Sequence, residues 1–428
     1  MSKTFRPYEP EQMLLMPASL GDWLPEDHLA YFISDVVDHL DLGAIMARYE
    51  AEERGYPPYH PRMMVKVLLY AYCIGVPSSR KIERRLEEDV AFRVLSANNT
   101  PDFRTISDFR KEHLSVLAGL FVQVLQLCQR AGLVKLGHVA LDGTKLKANA
   151  SKHKAMSYGR MKQEEARLEE EVKRLLKEAE AVDEEENKRY GKDKRGDELP
   201  RELARRESRL KKIREAKAAL EAEAMEQAKA VEDKKQRNFT DPDSRIMLSS
   251  DKSFIQAYNC QVAVDSQSQV VVACEATNQA SDKPQLKPMV AQVKANAGDK
   301  PEKLSADAGY FSEENLKLME RDGVEAYIPP DKQRHTETLP SAPRGRIPKG
   351  LSLKERMRRK LRTKKGQGIY SKRKVSVEPA FGQIKQARGF RQFLLRGLKK
   401  VNAEWRLICL THNLLKLYTT RRWAIAQG

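Results

Sequence analysis

The sequence predicts a mixed α/β protein: an all-α N-terminal region, a sheet flanked by helices, and a long helical hairpin inserted into the sheet region. Three observations carry this. Apolar residues recur at helical spacing through the first 135 positions. From residue 136 onward, short β-type runs alternate with helical patterns, the mark of an α/β sheet. Between residues 160 and 237 the alternation stops, and 23 basic and 22 acidic side chains follow one another in a polar, nearly neutral stretch. The expected units are therefore 1–135, then 136–159 joined with 238–428, with 160–237 as the insertion.

In the N-terminal unit, Leu29, Phe32, Ile33, Val36, Val37 and Leu40 form one amphipathic stripe. Pro61 opens a second helix, where its missing N–H costs nothing. Gly75-Val76-Pro77 ends that helix, and Ser78 is placed to cap the next. The third helix carries Arg80, Lys81, Arg84 and Arg85, so the pair resembles a helix-turn-helix. A solvated basic face reads the same way. A fourth helix is expected from about Ser107 to Ala131.

In the sheet unit, HVALDGT is a strand ending in an acid and a glycine. YNCQVAVD (258–265) and QVVVACEAT (269–277) make a hairpin. A helix near Lys283–Ala297, the run KLSADAGY (303–310), a helix from Ser312 and AYIPP (326–330) complete the alternation. In the insertion, Leu168, Val172, Leu175, Ala179 and Val182 form one seam, and Leu203, Leu210, Ile213, Leu220, Ala224 and Val231 form another. Two antiparallel helices of about 28 and 37 residues fit, turning at RYGKDKRGDELP. The segment Arg334–Gly350 reads as a linker, and a C-terminal helix with Trp405, Ile408, Leu410, Leu414, Leu415 and Leu417 closes the core.

The chain has 428 residues and a formal charge of +18, which favours a polyanionic partner, most simply nucleic acid. Between Arg344 and Lys400 stand 20 Lys or Arg and two acids, Glu355 and Glu378. The longest uncharged stretch of the helical region, Leu114 to Gln129, is too short to span a bilayer. The opening MSKTFRPYEP has no signal-peptide core, and the five cysteines form no CxxC and no even framework. A cytosolic protein with neither disulfides nor structural zinc is expected. The absence of a Gly-rich phosphate loop removes support for ATP-driven chemistry.

A phosphate-binding surface normally excludes carboxylates, so acids embedded in one call for a cation. Asp142 ends a strand and is followed by Lys145, Lys147, Lys152 and Lys154. Asp307 ends LSAD before Ala308-Gly309-Tyr310 turn into a helix. Glu378 stands in SVEPAFGQIK, where Ser376 is expected to cap a helix with Pro379 in its first turn. Lys385, seven residues further, would share the face of Glu378. Magnesium takes a few carboxylates and keeps positions for phosphate oxygens, and a pair of such ions supports in-line displacement at phosphorus. Turn chemistry explains a strand-end Asp equally well, and Asp241, Asp243 and Asp265 compete for the role.

The three acids in this order, with the segments around them, resemble the bacterial insertion-sequence DDE transposases. The carrying segments are HVALDGTKLKANASKHK, LSADAGYFSEENL and YSKRKVSVEPAFGQIKQARGFRQFLLRGL, with TDPDSRIM and QAYNCQVAVD between the first two. PPYHPRMMVKVLLYAYCIGVPSSRKIERRL resembles the helical region that opens many of these enzymes. Relatives carry Tyr-x2-Arg-x3-Glu-x6-Lys. Here Tyr370, Arg373, Glu378 and Lys385 keep Y-x2-R and E-x6-K, but four residues separate Arg373 from Glu378, and Lys374 takes the x3 position.

The resemblance implies an RNase H-like catalytic domain, with Asp142, Asp307 and Glu378 as catalytic metal ligands for two Mg²⁺, or Mn²⁺. It also implies double-stranded DNA as substrate, both transposon ends and target, and a homodimer on that DNA in a bacterial cytoplasm, near the nucleoid. Lys385, Tyr370, Arg373 and Lys374 would contact phosphates. The alternatives are a metal-dependent nuclease without strand transfer and a non-catalytic DNA-binding protein.

Overall fold

A computed structural model describes residues 19–50, 57–190, 201–226, 230–249, 251–331 and 350–427, with single positions 228, 343, 345 and 348. The N-terminal region is helical, as the apolar spacing predicts: α1 (Leu29–His39), α2 (Gly43–Glu50), α3 (Pro61–Cys73), α4 (Ser79–Glu88), α5 (Val90–Ser96), α6 (Phe103–Glu112) and α7 (Leu114–Arg130). Ile33, Val36 and Val37 of the first stripe are fully buried. The single helix expected over Ser107–Ala131 is instead two, divided at His113. Neither Gly nor Pro breaks it. His113 is held sideways by Tyr49, whose hydroxyl lies 3.1 Å from Nε2, and by the ring of Phe109, so tertiary contact overrides a helical pattern.

The sheet begins with β1 (Val139–Lys147). The insertion leaves it through β2 (Ala155–Ser157), α8 (Tyr158–Tyr190), α9 (Arg201–Glu226) and β3 (Gln236–Asn238). β2 and β3 pair antiparallel, Ala155 opposite Asn238, and clamp the base of the hairpin. Leu168, Leu210, Ile213 and Leu220 are buried along its seam in a core of their own. Ion pairs such as Arg214–Glu165 (3.1 Å) and Lys217–Glu165 (2.8 Å) flank that seam and set an antiparallel register. The expected turn lies largely outside the described residues, as does most of the expected linker.

Beyond the insertion come β4 (Arg245–Leu248), β5 (Phe254–Asp265), β6 (Val271–Thr277), α10 (Leu286–Ala297), β7 (Lys303–Ala306), α11 (Glu313–Arg321) and β8 (Glu325–Tyr327). After them follow α12 (Leu353–Arg362), α13 (Lys364–Gly382), α14 (Leu398–Thr419) and α15 (Trp423–Gln427). Across the main sheet the order is β4-β5-β1-β7-β8, with β6 on β5 as well. β4 and β6 take successive stretches of one β5 edge. β1 runs antiparallel to β5 and parallel to β7, and β7 runs parallel to β8. This mixed sheet with flanking helices is the RNase H-like arrangement.

One continuous hydrophobic core runs from Ala30 to Ala426, because α14 packs on β6 on one side and on α3 and α7 on the other. Trp405 of α14 is fully buried and donates its indole N–H to the Gln261 carbonyl at 3.1 Å, so it is a core residue. Trp423 packs edge-on against Phe32 and His39. Among the described residues no helix is long and apolar enough to cross a membrane.

Candidate active site

Pairing of β1 with β7 places the two strand-end acids together. Leu141 lies opposite Ala306, so Asp142 and Asp307 are the next residues on neighbouring parallel strands. Beyond Asp142, β1 stays paired with β5, whereas at Asp307 the chain turns away. Asp307 caps that turn: its Oδ1 accepts from the Gly309 N–H at 2.8 Å. Asp142 Oδ1 accepts from Gly143 N–H at 2.9 Å, and its Oδ2 accepts from Arg373 Nη1 at 2.6 Å. Burial pushes the Asp142 carboxyl up to about 6, with Arg373 pulling it down and the nearby Asp307 charge pushing it up.

Helix α13 brings the remaining sequence-predicted groups. It is not capped at Ser376 as expected. It runs unbroken through Pro379, and the Ser376 hydroxyl donates to the Lys372 carbonyl at 2.6 Å. A helical proline frees the carbonyl four residues back, here that of Val375. The side-chain amide of Gln269 donates to that carbonyl at 3.0 Å, which removes the penalty a capping residue would have avoided. A π-turn over Gln383–Ala387 follows, and from it Lys385 Nζ donates to Thr144 Oγ1 at 3.0 Å.

Of the neighbours Arg373 and Lys374, it is Arg373 that meets Asp142, while Lys374 is exposed. The Arg373 guanidinium sits 5.8 Å from the Tyr370 ring centroid, and its Nε is buried without a partner among the described residues. Glu378 is exposed on the same helix and makes no ion pair with a described residue. Among the described residues no three His, Cys, Asp or Glu side chains stand as a ready metal cage. Thus Asp142 and Asp307 come together, Arg373 joins them, and Glu378 stays outside. In the N-terminal region Arg80, Lys81, Arg84 and Arg85 are all exposed on α4, with Arg85 paired to Asp89 at 3.3 Å.

The competing acids have structural work. Asp241 accepts from Tyr258 Oη at 2.8 Å and from Gly397 N–H at 3.1 Å. Asp243 accepts from Leu398 N–H, and Asp265 from the N–H groups of Lys135, Leu136 and Gln267. Sequence reasoning missed Asp282, which precedes α10. Its Oδ1 accepts from Asn259, Gln261 and Lys145 beside the two strand-end acids. The signal was slight: an Asp at a helix start normally reads as a cap, yet this one makes no side-chain cap bond.

The pair Asp142–Asp307 fits a divalent cation on its own chemistry. Burial, with the Asp307 charge beside it, raises the cost of ionising Asp142, and a dication between the carboxylates and a phosphate would relieve it. Magnesium needs only one or two carboxylates when waters and phosphate oxygens fill its other positions.

Comparison with protein families gives two matches. Residues 18–112 match the family described as "Transposase domain (DUF772)", and residues 231–414 match "Transposase DDE domain". Together they flank the inserted hairpin and contain Arg80 to Arg85, Asp307, Glu378 and Lys385; Asp142 precedes the second match. No curated protein and no solved structure matches the chain.

Proposed function

We propose that the chain, whose two family matches support an insertion-sequence DDE transposase, cuts transposon ends and joins the freed 3′-OH to target DNA. The observation that carries the reading is the Leu141–Ala306 register, which seats Asp142 and Asp307 side by side under α13. In this reading those two carboxylates hold Mg²⁺ or Mn²⁺, two ions when the site is full, and Glu378 completes the set once DNA is bound. When bound, the metal polarises the scissile phosphate and lowers the pKa of water.

The chain's own residues do the rest. Arg373, held against Asp142 at one Nη, would direct the rest of its guanidinium charge toward a phosphate. Lys385, tethered to Thr144 two residues beyond Asp142, sets a second positive charge on the strand's far side of the acid. Tyr370 and the exposed Lys374 extend the phosphate track. In the first step water attacks the phosphodiester and a 3′-OH leaves; in the second that 3′-OH attacks a target phosphodiester and the target's own 3′-oxygen leaves. No enzyme nucleophile is used. Arg80, Lys81, Arg84 and Arg85 contact duplex DNA, and a homodimer holds two ends.

The test uses labelled transposon-end DNA. Asp142→Asn, Asp307→Asn and Glu378→Gln should each abolish cleavage while leaving DNA binding in EDTA intact. Pre-cleaved ends offered with a plasmid target should be joined by the wild-type chain. Cleavage without joining would make it a nuclease, and cleavage that survives Asp142→Asn would remove the site assignment.

A further inference from the structure

Behind the two strand-end acids lies a buried polar network in an otherwise apolar core. Gln261 and Asn259 of β5 are fully buried and pair with Gly143 and Lys145 of β1. Asp282 Oδ1 accepts from Asn259 Nδ2 at 2.7 Å, Gln261 Nε2 at 2.8 Å and Lys145 Nζ at 3.3 Å. The other end of the Gln261 amide, Oε1, accepts from the hydroxyl of Tyr310, itself fully buried. A carboxylate only accepts and this hydroxyl donates, so together they leave the Gln261 amide one orientation.

The network touches both halves of the site. Gly143 follows Asp142, and a Cβ there would fall 2.5 Å from Gln261 Nε2 and 2.9 Å from Asp282 Oδ1. Gly309 lies between Asp307 and Tyr310, and a Cβ there would fall 2.9 Å from Asp307 Oδ1 and 3.4 Å from Asp282 Oδ2. Glycine at 143 lets Asp282 and Gln261 close on the backbone beside Asp142, and glycine at 309 leaves room for the Asp307 carboxylate, with Asp282 in van der Waals reach. Along the chain of contacts, Asp142 is fixed through Gly143 to Gln261 and Asp282. Asp307 is fixed through Tyr310 to the same Gln261.

We propose that Asp282 is a positioning residue that, through Gln261 and Tyr310, fixes the spacing between Asp142 and Asp307. It touches no substrate in this role. Two carboxylates on separate strands hold a small dication only if their separation is held within a fraction of an ångström. β1 and β7 share just three register pairs before β7 ends, so the sheet alone holds Asp307 weakly. The hydrogen-bonded amide supplies the second tie. This rests on the reading of Asp142 and Asp307 as the metal-binding pair.

Calorimetric titration of the full chain with Mn²⁺, without DNA, tests it, alongside end cleavage over a range of Mn²⁺ and Mg²⁺ concentrations. Asp282→Ala and Tyr310→Phe should each weaken Mn²⁺ binding by about 10- to 100-fold and raise the metal concentration for half-maximal cleavage. DNA binding in EDTA should not change. Asp282→Asn keeps an acceptor for the two amides and should fall between. A folded Asp282→Ala with wild-type Mn²⁺ affinity overturns the proposal. If that variant does not fold, Tyr310→Phe, which loses one hydroxyl, decides by the same criterion. Failure of the underlying reading looks different: wild type and Asp142→Asn would then bind Mn²⁺ alike.

Discussion

The Arg373 guanidinium meets the Asp142 carboxylate at 2.6 Å, across 231 residues of chain. It ties α13 to β1 at the point where the acid stands beside Asp307. A fixed positive charge there compensates one carboxylate of a crowded pair. In the proposed mechanism the same side chain would also meet a phosphate beside the metal, serving both the resting site and the loaded one.

Asp142 should cost the protein stability. Its folded pKa, about 6, is raised above the ordinary 3.8, mainly by burial. The folded chain therefore holds a proton in a window where the unfolded chain has lost it. The penalty is absent below about pH 4, grows as pH rises through 6, and is complete above it. Asp142→Asn should raise the melting temperature at pH 7.5 without metal, by an equivalent of about 2–3 kcal/mol at most. A lower melting temperature in a thermal scan would contradict this.

The same carboxyl predicts a pH profile. At sub-saturating metal, cleavage should fall as pH drops through about 6, as Asp142 takes up a proton. Arg373 holds that pKa down, so in Arg373→Gln the falling limb should move to higher pH. Rate against pH at fixed Mn²⁺ gives the answer, and coincident profiles for the two proteins would refute it.

DNA binding should weaken steeply with salt, because the exposed Arg80, Lys81 and Arg84 lie on one helix. If each neutralises one phosphate, replacing all three by Ala should flatten the log–log salt dependence by about 2–3. Fluorescence anisotropy on end DNA between low and moderate salt measures the slope. An unchanged slope would mark α4 as a solvated face.

Gln269 should matter for stability although it is far from the acids in sequence. It adopts φ 59° in the left-handed region, donates to the carbonyl that Pro379 frees, and accepts from Lys416 at 2.6 Å. Gln269→Ala removes both side-chain bonds and keeps the strain. A loss of about 1–2 kcal/mol in urea unfolding is expected. Pro379→Ala, which restores the helical N–H, should reduce that loss when combined with it.

Much of this protein can be read directly from its residues. Helical spacing marked α1, α3 and the seam of the hairpin, because a buried stripe must repeat with the turn of its own helix. An acid closing an apolar strand drew attention to Asp142, with lysines after it, and to Asp307, with a turn after it, because a carboxylate in a strongly basic chain needs a reason to be there. Tertiary structure decided the rest. It set Arg373 against Asp142, divided a helix at His113, carried α13 through Pro379, and surrounded Asp282 with Asn259, Gln261 and Lys145. Each of those outcomes depends on a partner from a distant part of the chain. Local periodicity records which side of an element is buried, but not which residue will be waiting there.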